Sequence, residues 1–373
     1  MVQSQWPYWL PLRNDLRNIS PYGAPQINGV TSLNTNENPF PLPPEVVRVM
    51  IDRLGGIVAD LNRYPDRDAI SLRSKLAHYI SQTSGVELTH ENIWAANGSN
   101  EVLQTLFLCS GGSDHLALGF TPSYSVHPLI AQITKTPWFP GSRDEDFKIE
   151  IEKAKKLIRE KSPQLVFVTT PNNPSGTATS LGELKELAEA TGSVGGLLVV
   201  DEAYAEFSAE PSAVTLLADF PHVVVVRTMS KAFAFAGART GYLIAKPAVV
   251  NAALITRLPY HLSALTQAAA ETALEFASAM QSEIELLISE RERVATAISE
   301  VGYRAVPSAA NFLLFTGFNG DSQGIWQEFL NRGILIRDVG LRGFLRVTIG
   351  APSENEQFIA ALREIAGTTT LSD

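Results

Sequence analysis

Leu197-Leu198-Val199-Val200-Asp201-Glu202-Ala203-Tyr204 is an apolar run, β-branched at its centre, that gives way to two carboxylates and a tyrosine. Apolar residues at every position, rather than at alternate ones, predict a strand covered on both faces, the environment of a parallel sheet. Leu116 to Gly119, Leu165 to Thr169 and Val223 to Arg227 repeat the pattern. Helical stretches separate these runs, among them Ser180 to Ala190, where Ser180 and Glu183 have the spacing of a capping box. Strands alternating with helices predict an α/β fold, a large domain with a mostly parallel sheet covered by helices.

Working outward, Val46, Val47, Met50 and Leu54 recur at helical spacing from Pro44, and a second helix is predicted from Asp68 to about Gln82. The residues before Pro44 are rich in Pro, Asn and aromatic side chains with little periodicity, which suits an arm lying over another surface. Beyond Tyr260 the pattern changes to one long helical stretch through Glu300. Strands follow at Asn311 to Phe315, Ile334 to Arg337 and Phe344 to Ile349, and a last helix opens at Ser353 with Glu356 completing a second capping box. At 373 residues the chain exceeds what one core usually serves. The expected division is an arm over 1–43 that contributes to the small domain and a dimer contact, a large domain over 44–260, and a smaller α+β domain over 261–373.

Thirty Lys and Arg stand against 39 Asp and Glu, and the net charge of −9 argues against gripping nucleic acid or anionic lipid, though not against a local basic site for a small anion. No stretch approaches the ~20 apolar residues of a membrane span. Met1 to Leu12 has no basic segment leading into an apolar run, so a cytoplasmic protein without a signal peptide is expected. The single cysteine, Cys109, follows Val102 to Leu108 and is expected to pack as a small core residue. No metal is expected.

Open parallel sheets bind ligands beyond the carboxyl ends of their strands, and four polar clusters occupy such places. Asp201 ends one strand, where a buried carboxylate is costly unless a cation or strong donor meets it; alone, it equally suits a helix cap. Thr228-Met229-Ser230-Lys231 follows another strand, with Arg239 eight residues on, and the small apolar residues after Lys231 could desolvate its amine and make it nucleophilic. Thr170-Pro171-Asn172-Asn173-Pro174-Ser175-Gly176 is a turn by composition. Asn97-Gly98-Ser99-Asn100-Glu101 opens a helix whose free N–H groups can hold an anion. Each has a bland alternative, but together they fit pyridoxal 5'-phosphate. That cofactor needs an amine for its aldehyde (Lys231), a carboxylate to keep its ring nitrogen protonated (Asp201), donors for its phenolic oxygen (Asn173, Tyr204) and a pocket for its phosphate (Gly98, Ser99, Thr228, Ser230, Arg239). Lys231, Asp201 and Tyr204 are the catalytic candidates.

The order Asn-Gly-Ser-Asn-Glu, Pro-Asn-Asn-Pro-Ser-Gly, Asp-Glu-Ala-Tyr and Ser-Lys-Ala-Phe with a downstream Arg resembles the fold-type I, aspartate aminotransferase-like enzymes. More narrowly it resembles the histidinol-phosphate aminotransferase family, through Leu33 to Pro39, Arg63-Tyr64-Pro65-Asp66, Pro122-Ser123-Tyr124, Ile336 to Gly340 and Leu345 to Gly350. The likeness runs from about Tyr22 to Ile365. Asn100 departs from it, since many members have Asp there; the amide keeps hydrogen bonding and loses the charge.

The resemblance implies a homodimer in which Tyr124 stacks on the cofactor ring and Tyr64 reaches the cofactor phosphate of the neighbouring subunit. It implies transfer of an amino group between L-histidinol phosphate and 2-oxoglutarate, giving imidazole acetol phosphate and L-glutamate, without nucleic acid or membrane partners. A site for both donors needs one guanidinium shared by carboxylate and phosphate, for which Arg346 is the natural bidentate clamp, and a further cation, Arg337. Tyr22, Asn36, Asn100 and, from the partner subunit, Tyr260 complete the implied substrate set. The competing readings are an aromatic amino acid aminotransferase on the same scaffold and, more remotely, an aminotransferase-like regulatory or binding protein, which calls for an extra basic N-terminal domain.

Overall fold

The computed structural model describes residues 6–318 and 320–369; the remaining parts of the expected arm and small domain lie outside the described residues. After the two-residue strand β1 (Thr31–Ser32), seven strands build the central sheet: β2 (Ile93–Ala96), β3 (Ala117–Thr121), β4 (Trp138–Ser142), β5 (Leu165–Thr169), β6 (Leu197–Asp201), β7 (Val223–Thr228) and β8 (Gly241–Ile244). Their order is β2-β8-β7-β6-β5-β3-β4. Neighbours are parallel except around β8, which runs antiparallel to β2 and β7. Leu198, Val200, Val223 and Val225 face one buried layer and Val199, Val224 and Val226 the other, so the runs that read as covered on both faces are covered by two distinct cores.

The chain closes with β9 (Arg304–Ala305), β10 (Phe312–Thr316), β11 (Ile334–Leu335), β12 (Arg337–Asp338) and β13 (Leu345–Thr348). Four of them form an antiparallel sheet in the order β12-β13-β10-β9, while β11 pairs in parallel with β1 of the arm. The arm is therefore pinned to the strand that leads into this second sheet, and to β13 itself through the Thr348 amide on the Leu33 carbonyl (2.9 Å). It is pinned again by Arg13, which donates to the carbonyls of Ile133 (2.9 Å) and Gln132 (3.1 Å) at the end of the helix Val126–Ile133.

Several boundaries differ from expectation for local reasons. The second helix spans Ile70–Ser84, because the Asp66 carboxylate takes the amides of Asp68 (3.0 Å) and Ile70 (2.9 Å) and holds the preceding turn open. The stretch read as one helix to Glu300 is two, Ala264–Glu275 and Gln281–Glu300, joined by a 3-10 turn. Ile334 to Arg337 divides between two sheets. The last helix begins at Pro352 and is capped by Glu354, which accepts from the Ala351 amide (2.8 Å), and by Asn355, which accepts from that of Gly350 (2.8 Å). Glu356 pairs with Arg293 at 3.0 Å instead of closing a capping box. At Ser180 the box does form, with Glu183 accepting from the Ser180 amide at 2.7 Å. Cys109 is half-buried, its thiol 3.3 Å from the Ala252 carbonyl.

Candidate active site

The carboxyl ends of β5, β6 and β7 open into a cavity of about 380 Å³ between the central sheet, the arm and the second sheet. Tyr22, Asn36, Ser99, Asn100, Tyr124 and Asn173 line it, as do Asp201, Tyr204, Thr228, Ser230 and Lys231, and it is completed by Arg239, Arg337 and Arg346. Gly98 stands just behind, at φ +84°, and a Cβ there would lie 2.5 Å from Arg239 Nη2. Glycine at this position thus lets a guanidinium reach the first turn of the helix Ser99–Ser110, whose leading N–H groups have no intrahelical acceptor.

Four cationic side chains converge here without a carboxylate partner among the described residues. Lys231 donates to the Thr35 carbonyl (2.8 Å), Arg239 to that of Ala236 (3.1 Å), and Arg346 to the Asn34 carbonyl (2.7 Å) and Asn173 Oδ1 (2.6 Å), leaving its buried Nε without an acceptor. Arg337 forms no ion pair with the adjacent Asp338 among the described residues; that carboxylate accepts from the Gly340 amide at 2.8 Å. In a chain of net charge −9, such a cluster is a site waiting for anions.

Of the two carboxylates that line the cavity, Asp201 and Asp338, Asp201 is buried against His127, whose Nε2 lies 3.1 Å from Asp201 Oδ2. An ionised carboxylate only accepts, so His127 carries the proton at that contact. The Ala203 amide holds the other oxygen at 3.3 Å. His127 was missed in the sequence; its one signal is its place three residues after Tyr124, at the start of a helix whose fold neighbour is 74 residues away in the chain. Tyr124 packs edge-on against His127, centroids 5.5 Å apart, and donates to Asn100 Oδ1 at 3.2 Å.

A second polar chain runs from the other side. Thr348 Oγ1 accepts from the Asn36 amide (3.0 Å) and donates to Asn36 Oδ1 (3.1 Å), which turns Asn36 Nδ2 onto the Tyr204 hydroxyl at 2.9 Å. Arg346 fixes Asn173 in the same way, so that Asn173 Nδ2 points to the Tyr204 hydroxyl at 3.3 Å. With two amides donating to it, Tyr204 retains its own proton for a ligand oxygen. Asn173, the other expected donor to the phenolic oxygen, lines the cavity with one N–H of its amide on Tyr204 and a second left for a ligand oxygen. The carbonyls of Asn34 and Thr35, and Arg143, were also missed. The buried Arg143 guanidinium caps the ends of β3 and β5 through the carbonyls of Phe120 and Thr169, both at 3.3 Å.

Burial, with Arg346 and Arg239 nearby, pushes the Lys231 amine down to about 8. Only the neutral amine attacks an aldehyde, so the cofactor-free protein should capture pyridoxal phosphate at a rate that rises with pH through about 8 and then levels off, as followed by stopped-flow absorbance. A rate still climbing towards pH 10 would show that the amine behaves as an ordinary lysine. Burial, with Arg337 adding to it, likewise pushes Arg346 down to about 10.

The donor set fits pyridoxal phosphate: an amine made nucleophilic by burial, a carboxylate oriented from behind, a hydroxyl with a free proton, and Ser99, Ser230 and Arg239 gathered at a helix start. Tyr64 and Tyr260 do not join it. They stack on each other at 4.3 Å, and Tyr64 is 79% exposed on the surface.

The family of class I and II aminotransferases matches residues 28–362. A histidinol-phosphate aminotransferase of Mycolicibacterium smegmatis is 53% identical over 96% of this chain and 94% of its own length. One of Mycobacterium avium is 51% identical over 96% of this chain and 89% of its own. Among solved structures, histidinol-phosphate aminotransferase from Sinorhizobium meliloti in complex with pyridoxal-5'-phosphate superposes with a TM-score of 0.81 at 23% identity, covering 90% of this chain and 91% of that one. A mutant of Thermus thermophilus aspartate aminotransferase gives 0.80 at 20% identity, covering 95% and 99%. The chain belongs to the class I and II aminotransferases and, within them, to the histidinol-phosphate aminotransferase family.

Proposed function

We propose that this chain transfers an amino group between L-histidinol phosphate and 2-oxoglutarate in histidine biosynthesis, and that Arg337 and Arg346 select the phosphate. The observation that carries the selectivity is their placement: they stand directly opposite each other across β12 and β13, both on the cavity and neither met by a carboxylate among the described residues. Like charges opposite one another weaken a sheet, so the arrangement is best explained by an anion shared between them. A phosphate near neutral pH carries close to two charges and more acceptor oxygens than a carboxylate.

When bound, pyridoxal phosphate supplies an aldehyde to carry the amino group and a ring that takes up charge from the substrate's Cα. Lys231 would hold the cofactor through its amine and, as a free amine, would move the proton at that Cα. Asp201, oriented by His127, keeps the proton on the cofactor's ring nitrogen. Tyr204 donates to the phenolic oxygen, Tyr124 walls the ring, and Gly98, Ser99, Thr228, Ser230 and Arg239 hold the phosphate. Tyr22, Asn36 and Asn100 complete the substrate side.

Arg346→Ala should weaken both histidinol phosphate and glutamate. Arg337→Ala should penalise histidinol phosphate selectively, by about 2 kcal/mol or more, which is roughly 30-fold in kcat/KM. The same variant should spare any activity towards phenylalanine. Comparing kcat/KM for these donors is the test, and equal losses for phenylalanine and histidinol phosphate would make Arg337 structural.

The reading extends to a cytoplasmic homodimer with an arm over 1–43, a large domain over 44–260 and a small domain over 261–373. Among the described residues no helix is long and apolar enough to cross a membrane. What supports the dimer is the exposed Tyr64–Tyr260 stack, two aromatics on a surface with no task in their own chain's cavity. Mixing Tyr64→Phe with Lys231→Ala protein should then yield heterodimers with one intact site and more activity than the two variants contribute separately. No gain on mixing would place each site within one chain.

A further inference from the structure

Two residues of the cofactor motifs have no part in the roles above: Glu202, which follows Asp201, and Arg227, which precedes Thr228. Both are buried. Arg227 donates to Glu202 Oε2 through Nε (3.0 Å) and Nη2 (2.8 Å), and its Nη1 lies 3.4 Å from Glu206. Ser212 Oγ donates to Glu202 Oε2 (2.8 Å) and the Ala213 amide to Oε1 (2.7 Å), so the pair is fully hydrogen-bonded.

Their position follows from strand geometry. Side chains alternate across a sheet, so Asp201 and Thr228 share one face with Val199 and Val226, while Glu202 and Arg227 extend the opposite face of Val200 and Val225. The ion pair thus lies directly behind the residues that meet the cofactor. The last backbone rung between β6 and β7 is the Glu202 amide on the Val226 carbonyl (2.8 Å). Beyond it one strand turns into the 3-10 segment Ala205–Phe207 and the other into the loop that carries Ser230 and Lys231. Only side chains can hold the ends together there.

We propose that the buried Glu202–Arg227 pair is a positioning device, which fixes the spacing between the ends of β6 and β7 and so sets Asp201 against Thr228, Ser230 and Lys231. Stability alone does not account for it. Two apolar side chains would continue the valine pattern, and replacing a buried ion pair in that way is often neutral or stabilising. Directional bonds from one guanidinium to two carboxyls specify a geometry that apolar contact would leave free to slip. Glu202, with two bonds from the guanidinium against one longer contact to Glu206, is the principal partner of Arg227.

The inference rests on the assignment of Asp201 and Lys231 to the cofactor. Its test uses the double variant Glu202→Leu/Arg227→Met, which removes the pair without leaving a buried charge alone. Melting of the cofactor-free protein, affinity for pyridoxal phosphate, and the pH midpoint of the bound cofactor's visible absorbance are compared with wild type. The double variant should melt as wild type does, bind the cofactor about tenfold more weakly and show a displaced midpoint. Wild-type affinity and midpoint in that variant would overturn the proposal. Should it not fold, Arg227→Lys decides, since it keeps the charge pair and removes the fork: weaker cofactor binding with a displaced midpoint supports the positioning role, and unchanged binding and midpoint remove it. Wild-type protein that holds the cofactor at a lysine other than Lys231 would sink the underlying assignment instead.

Discussion

Lys231→Ala is expected to lower kcat by about 10⁴-fold or more, because the substitution removes both the amine that holds the cofactor and the group that moves the proton at Cα. The phosphate-holding residues remain, so the variant should still bind pyridoxal phosphate, now without a bond that borohydride can fix. A second effect separates the amine's chemistry from its packing. Burial holds the amine at about 8 in the folded protein, against an ordinary lysine near 10.4 when unfolded. Between these values the unfolded chain binds a proton that the folded one lacks, so the cofactor-free wild type should gain stability as pH rises through that window. The Ala variant should lack that gain. Retention of kcat within tenfold of wild type would remove Lys231 from the reaction.

Asp201→Asn should be next in size, at about 10²- to 10³-fold in kcat. The amide has nearly the shape of the carboxylate and can still face His127, so fold and cofactor content should be preserved. It cannot balance a proton on the ring nitrogen, and that charge is what makes the ring accept electrons from the substrate. His127→Ala leaves the carboxylate in place but unoriented and should cost less than Asp201→Asn. Steady-state kinetics on both, with cofactor content measured in parallel, check the order; a larger loss in His127→Ala would reverse the roles given to the two residues.

The central strands β5, β6 and β7 could be read because they are buried on both faces and rich in β-branched residues. Strands β2, β4 and β8 could not. Ile93-Trp94-Ala95-Ala96 has weak strand propensity, Trp138-Phe139-Pro140-Gly141-Ser142 contains two residues that argue against a strand, and β8 is only four residues long. Pro140 is tolerated because β4 lies at the edge of the sheet, where a missing N–H breaks no ladder. The same logic divides the site. Residues that follow strand ends were legible, since strand direction alone brings them together. His127, Arg143 and the carbonyls of Asn34 and Thr35 were not, because their contacts depend on how the helix after Tyr124, the end of β4 and the arm come to rest on the sheet. Backbone acceptors leave no trace in residue type.

Every role given to the cavity depends on Lys231 as the point of covalent attachment. Purified protein loaded with pyridoxal phosphate and reduced with borohydride, then digested and mapped by mass spectrometry, should carry the cofactor on the peptide containing Lys231. A cofactor fixed to any other lysine would contradict it.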